Sequence, residues 1–156
     1  MTWRGSTTVS DRIFASLPYL LPLVDGLMFG RFLFQQFPVL QLLFIPLAPL
    51  MQIYSLPFAS LVIFFALYLG VVRNENISHF IRFNAMQAIL LDIVLMLCGL
   101  VLPILAKVQI AFIAETLYNM VFLGVVAAFV YAVVQSALGR YAEIPPLSDA
   151  VYMQVR

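Results

Sequence analysis

Apolar residues occur along this chain in long runs separated by short polar stretches, the pattern of helices that cross a membrane rather than of helices with one wet face. The first run spans about residues 12–34, with Ser10 or Asp11 placed to cap it. Pro18 and Pro22 lie one turn apart, each removes a backbone donor, and together they predict a bend. Gly26 and Gly30 follow at a GxxxG spacing that lets another helix approach closely. A second run, about 56–72, carries no charge. The third covers about 83–105, Lys107 and Gln109 mark a short turn, and the fourth covers about 110–138. Gly124, Ala128, Ala132 and Ser136 repeat every four residues in that last helix, a small-residue ladder suited to packing within the subunit or onto another one.

Residues 37–54 are apolar too, but Pro38, Pro46 and Pro49 leave no uninterrupted piece long enough to cross. They are expected to lie in the interface or to dip partway in. The alternative is a fifth, kinked crossing, which would put the chain ends on opposite sides. From Gly139 the tail is polar and proline-broken, so it reads as a short extramembrane segment.

The most polar stretch, Arg73 to Asp92, lies between the second and third runs and holds the only histidine. Wound as a helix at ~100° per residue, it places Asn84, Gln87, Ala88 and Asp92 within an arc of roughly 140°, shared with Phe80 and Leu91. His79 and Arg82 point elsewhere. A polar stripe entering an apolar helix must face protein or water, because lipid cannot satisfy it. His79 is expected to bond backbone or lipid headgroup and Arg82 to snorkel, or both to contact a partner. Asp25 falls past the middle of the hydrocarbon layer, as a carboxyl satisfied by a polar partner or as one that faces a water-filled path. Glu115 and Asn119 share a face near the start of the fourth run. If Asp25, Asn84, Gln87, Asp92, Glu115 and Asn119 converge, they line a wet path.

Composition agrees with the pattern. Of 156 residues 64% are hydrophobic and 10% charged, with a mean hydropathy of +1.06, against about 25% charged in a soluble domain. The reading is an all-α membrane protein, a single integral domain of four transmembrane helices with a proline-broken interfacial segment between the first two. The net charge of +1, without a Lys/Arg cluster, argues against nucleic-acid binding. Cys98, the lone cysteine, forms no intrachain disulfide. With four crossings, Arg4, Arg12, Arg73, Arg82, Arg140 and Arg156 share one side and only Arg31 and Lys107 the other. That bias puts both ends in the cytoplasm or stroma. The Asn76-Ile77-Ser78 sequon then faces the wrong side for glycosylation.

Chemistry-bearing motifs are missing. One histidine supplies no ligand cluster for a metal, and phosphate-binding, dinucleotide, nucleophile-elbow and zincin motifs do not occur. The expectation is no enzyme, no metal and no cofactor.

The segments TTVSDRIFASLPYLLPLVDGLMFG and LYLGVVRNENISHFIRFNAMQAILLDI resemble the family of the twenty-kilodalton subunit of the Tic translocon, at the chloroplast inner envelope. The likeness runs from about Ser10 to Tyr141. Its most specific part is Arg73, Asn74, His79, Phe80, Arg82, Phe83, Asn84, Gln87 and Ala88, supported by Leu17, Pro18, Tyr19, Pro22, Asp25 and Gly26. The resemblance implies four transmembrane helices with both ends stromal, and a membrane subunit of protein import that lines or flanks the conducting path. Its partners would be the lipid bilayer, other translocon subunits and a polypeptide substrate. The chain lacks the long N-terminal extension of nuclear-encoded plant members, so a cyanobacterial or plastid-encoded form is expected, in the plastid inner envelope or a cyanobacterial plasma or thylakoid membrane. The alternative function is a structural or assembly subunit of another membrane complex, such as a photosynthetic one. A small-solute transporter is a weaker third, for want of an internal repeat.

Overall fold

A computed structural model describes residues 7–108 and 111–155. The first helix, α1, runs Val9–Gln36. Its cap is Thr8 rather than Ser10 or Asp11: Thr8 Oγ1 accepts from the Asp11 N–H at 3.1 Å, and the Asp11 carboxylate accepts from the Thr8 N–H at 3.1 Å. Only Thr8 has an acid three residues downstream to close this reciprocal box. The helix tightens to 3₁₀ winding at Leu17–Tyr19, where Pro18 offers no N–H, and again at Leu27–Gly30.

Residues 37–54 form α2, Pro38–Tyr54, whose first part, Pro38–Leu47, is 3₁₀. After a bend of 99° comes α3, Ala59–Val72, which ends in a π turn at Tyr68–Val72. The joint contains Phe58 at φ 61°, a left-handed conformation that strains a bulky side chain. At ~1.5 Å per residue α3 alone covers roughly 20 Å of a ~30 Å layer. Only together are α2 and α3 long enough to cross.

Helix α4, His79–Val108, begins four residues before the expected start at 83 and absorbs Lys107 into its last turn. Gln109, the other residue of the expected turn, and Ile110, the expected start of the fourth crossing, lie outside the described residues. Helix α5 is Ala111–Ala137, and a short α6, Leu147–Gln154, follows.

Side-chain contacts fix how these helices run. At one end Arg12 Nη1 donates to the Ala137 carbonyl (3.4 Å), satisfying an orphan acceptor at the close of α5. Gly139, at φ +76°, turns the chain there so closely that a Cβ would sit 2.7 Å from Thr7 Oγ1. At the same end Arg82 Nε reaches the Val72 carbonyl (2.8 Å), joining the end of α3 to the start of α4. At the far end Gln36 Nε2 donates to Glu115 (3.0 Å), and Phe34, Phe44 and Phe122 pack edge to face. The α2–α3 pair therefore carries the chain back from the far end to the near one, as a single broken traverse. An even number of traverses leaves the described residues nearest both chain ends together, as four crossings require and five do not. Arg12, Arg73, Arg82 and Arg140 lie at the near end, with Arg31 and Lys107 at the far one. Arg4 and Arg156 lie outside the described residues.

Gly26 and Gly30 seat α1 on α5. A Cβ on Gly26 would come within 2.6 Å of Val125 Cγ1, and one on Gly30 within 2.8 Å of the Phe122 ring. The small-residue ladder does not act as one surface: Ala132 and Ser136 are buried, Ala128 is half-buried, and Gly124 faces open space. A four-residue repeat drifts ~40° per step around a helix of 3.6 residues per turn, so its two ends face directions roughly 120° apart.

Candidate functional site

Phe80, Asn84, Gln87, Ala88 and Asp92 of the stripe on α4 are all buried, but so is every residue from Arg82 to Ile89, so the helix is enclosed on all sides over these turns rather than on one face. The stripe's members do not do the same thing, and the six polar residues expected along one path fall into three groups.

The first is a closed junction at the near end. Tyr19 of α1 donates its hydroxyl to Asn84 Oδ1 at 2.7 Å and accepts from Gln87 Nε2 at 2.8 Å. Gln87 uses its second N–H on the Ala142 carbonyl (2.5 Å), and its Oε1 accepts from the Ile144 N–H (3.3 Å). Asn84 donates to the Phe80 carbonyl and accepts from Ser136 Oγ at 3.4 Å. Tyr19, Asn84, Gln87 and Ser136 are fully buried, and this one network ties together α1, α4, α5 and the tail. Satisfied buried polar groups of this kind specify a unique packing. Asn84 and Gln87 therefore line no water path.

Covering the junction is the tail, expected as a short extramembrane segment. Val151 of α6 and Val155 just after it pack into a cluster with Val72, Phe83, Met86 and Ile89. The readable signal was Leu147, Val151 and Val155 at four-residue spacing, one apolar stripe inside a polar segment. His79 and Arg82 belong to this cover. His79 Nδ1 lies 2.8 Å from the Tyr141 hydroxyl and Nε2 lies 3.4 Å from the Val155 carbonyl, with the imidazole stacked on Tyr152. Arg82, expected to snorkel, is only 7% exposed and bonds Val72. His79 is held by the tail and Arg82 by the end of α3.

The second group lies deeper, near the middle of α1 and α4. Asp25 of α1 and Asp92 of α4 lie near each other. Asp92 is 8% exposed, and its Oδ1 is buried without a partner. Asp25 borders a cavity of about 770 Å³ between α1 and the α2–α3 joint, also lined by Gln41, Tyr54, Ser55 and Ser60.

The third group is at the far end, where Glu115 holds Gln36 and Asn119 has a buried Oδ1 without a partner. Close by, Arg31 stacks over the rings of Phe32 and Tyr118 at 4.7 and 4.6 Å, anchoring α1 to α5. Cys98 is a half-buried free thiol on α4. Among the described residues no cluster of His, Cys, Asp and Glu has the makings of a metal site.

Comparison with known proteins matches residues 9–151 to the family model described as "Chloroplast import apparatus Tic20-like". A "Tic20 family protein" of Synechocystis sp. (strain ATCC 27184 / PCC 6803 / Kazusa) is 56% identical over 149 residues, covering 94% of this chain and 93% of its own. "Protein TIC 20-II, chloroplastic" of Arabidopsis thaliana is 43% identical over 163 residues, covering 99% of this chain and 78% of its own. "Tic20 family protein Ycf60" of Porphyra purpurea is 36% identical over 164 residues, covering 99% and 80%.

Proposed function

The chain belongs to the chloroplast import apparatus Tic20-like family, and from that premise we propose that it is a membrane subunit of a protein translocation machinery that flanks the polypeptide path rather than enclosing it. The family match over nearly the whole membrane domain carries the import role. The flanking role is supported by the closed junction: Asn84 and Gln87, the polar residues best placed to wet the bundle interior, are spent on Tyr19, Ser136 and the tail. An extended polypeptide needs a continuous polar lining, and the described interior offers three separate groups. A conducting path therefore runs between this chain and other subunits.

In this reading the near end faces the stroma or cytoplasm, in the plastid inner envelope or a cyanobacterial plasma or thylakoid membrane, as the arginines at that end favour. The partners are the bilayer, other translocon subunits and the polypeptide in transit. The test is to purify the tagged protein from its native membrane in mild detergent and identify what travels with it by mass spectrometry. Import or secretion components in stoichiometric amounts are the expected result. A photosynthetic or other stable complex in their place would assign the chain a structural or assembly role instead.

A further inference from the structure

The α2–α3 traverse breaks at a depth where lipid does not tolerate a break. Ser55, Leu56, Pro57 and Phe58 belong to neither helix, all four are exposed, and Phe58 holds φ 61°. Helix α3, at ~1.5 Å per residue over Ala59–Val72, puts the break roughly 20 Å from the near end. Asp25 of α1, which lines the same cavity as Ser55, is also roughly 20 Å along its helix from Arg12. Both distances fall inside a hydrocarbon layer ~30 Å thick. Irregular backbone at that depth persists where protein or a water-filled cavity covers it.

The wall of the cavity is matched to one kind of cover. The space of about 770 Å³ is lined by Asp25 of α1, by Gln41 and Tyr54 of α2, and by Ser55 and Ser60 on either side of the break. Asn84 and Gln87 are bonded inside the junction, whereas Gln41, Ser55 and Ser60 are exposed. A transmembrane helix of another subunit fits this wall poorly. Its backbone bonds are made internally and helices approach closely on small residues, but the rest of the wall includes Met28, Phe34, Phe44 and Met51. A lipid tail supplies no partner for a carboxyl, an amide and three hydroxyls. An extended polypeptide carries an N–H and a C=O on every non-proline residue with no partner of its own, so its needs and those of the wall are complementary. The polar wall occupies only the far part of the seam between α1 and the α2–α3 traverse. Toward the near end the groove lined by Leu17 and Leu21 of α1 and by Leu67 and Val71 of α3 is apolar.

We propose that the cavity at the α2–α3 break is where a polypeptide in transit lies against this chain in extended form, from the end where Gln36 meets Glu115 to the level of Asp25. This inference rests on the import reading and adds to it the face of the chain that the path uses.

The test places a photoreactive benzophenone side chain at Ser55, Ser60 or Val130 of the full chain in its native membrane. The probe is a radiolabelled precursor arrested in transit by a folded, ligand-clamped C-terminal domain. Val130 is the control, exposed on α5 and outside the cavity. Capture of the precursor at Ser55 and Ser60, at least tenfold above Val130, is the expected result. In a Cys98→Ala background, Ser55→Cys should react with a membrane-impermeant maleimide at least tenfold faster than Val130→Cys, and the arrested precursor should protect it. An inert Ser55→Cys would overturn the inference. A precursor that co-purifies with the tagged chain but is not captured at Ser55 or Ser60 would overturn it alone, whether a neighbouring subunit or lipid is captured there instead. A precursor that neither co-purifies nor is captured at any position would overturn the import reading with it.

Discussion

Gln87 and Asp92 lie at opposite edges of the polar arc of α4, about 140° apart in direction and less than two turns along it, and both come near a polar side chain of α1. Gln87 meets Tyr19 and is closed on every side by Asn84's network and the tail. Asp92 keeps an oxygen without a partner, and the Asp25 near it borders a cavity. Helical periodicity places both inside one polar arc, but it reports direction and not the number of partners at the end of it. What separates a polar group that holds a membrane fold together from one left available is the count of bonds it has already made.

The difference is broken most severely by opening the junction. Asn84→Leu removes the acceptor of both the Tyr19 and Ser136 hydroxyls, leaving two buried donors unsatisfied. A loss of about 2–4 kcal/mol is expected, measured as unfolding of the bilayer-reconstituted protein. A mismatch of shape rather than polarity comes next. Gly26→Ala pushes a methyl into Val125, and a cost of about 1–3 kcal/mol is expected. Val125→Ala in the same chain should restore most of it, whereas two independent, additive losses would mean that the close approach is not the cause.

Cutting the cover is milder. His79→Ala gives up the Tyr141 bond and the Tyr152 stack for about 1 kcal/mol. It should expose the 139–155 tail to protease while leaving α1 to α5 protected. Smallest of all is Gly124→Leu: the position faces open space, so stability of the isolated chain should stay within about 0.5 kcal/mol of wild type. If the same variant leaves its native complex, as judged in a native gel, the open end of the ladder is a contact with another subunit.

Much of this was legible in the chain. The runs of apolar residues gave the traverses, and four-residue and GxxxG spacings gave Gly26 and Gly30 their packing. The stripe from Phe80 to Asp92 pointed to buried positions of α4, although burial there runs all round the helix from Arg82 to Ile89. Three things were hidden, each for a physical reason. The closed junction depends on Tyr19 of α1 and the backbone of Ala142 and Ile144, which no local pattern brings to Gln87. The tail's return depends on a single short stripe, Leu147, Val151 and Val155, set among polar residues that suggest water. The split of the Gly124 to Ser136 ladder follows from the drift of a four-residue repeat around 3.6 residues per turn, which a linear spacing conceals.

The most direct measurement places leucine at both positions of the comparison, Gln87→Leu and Asp92→Leu, and follows the unfolding of each in the same bilayer. Loss of about 2–4 kcal/mol at Gln87 is expected, since Tyr19, Ala142 and Ile144 all lose a partner. At Asp92 the change should be within about 1 kcal/mol of wild type or in the stabilising direction, because Asp25 keeps its access to the cavity and a partnerless oxygen is removed. Equal losses at the two positions would contradict the account, because the carboxyl pair would then be as much a part of the scaffold as the junction.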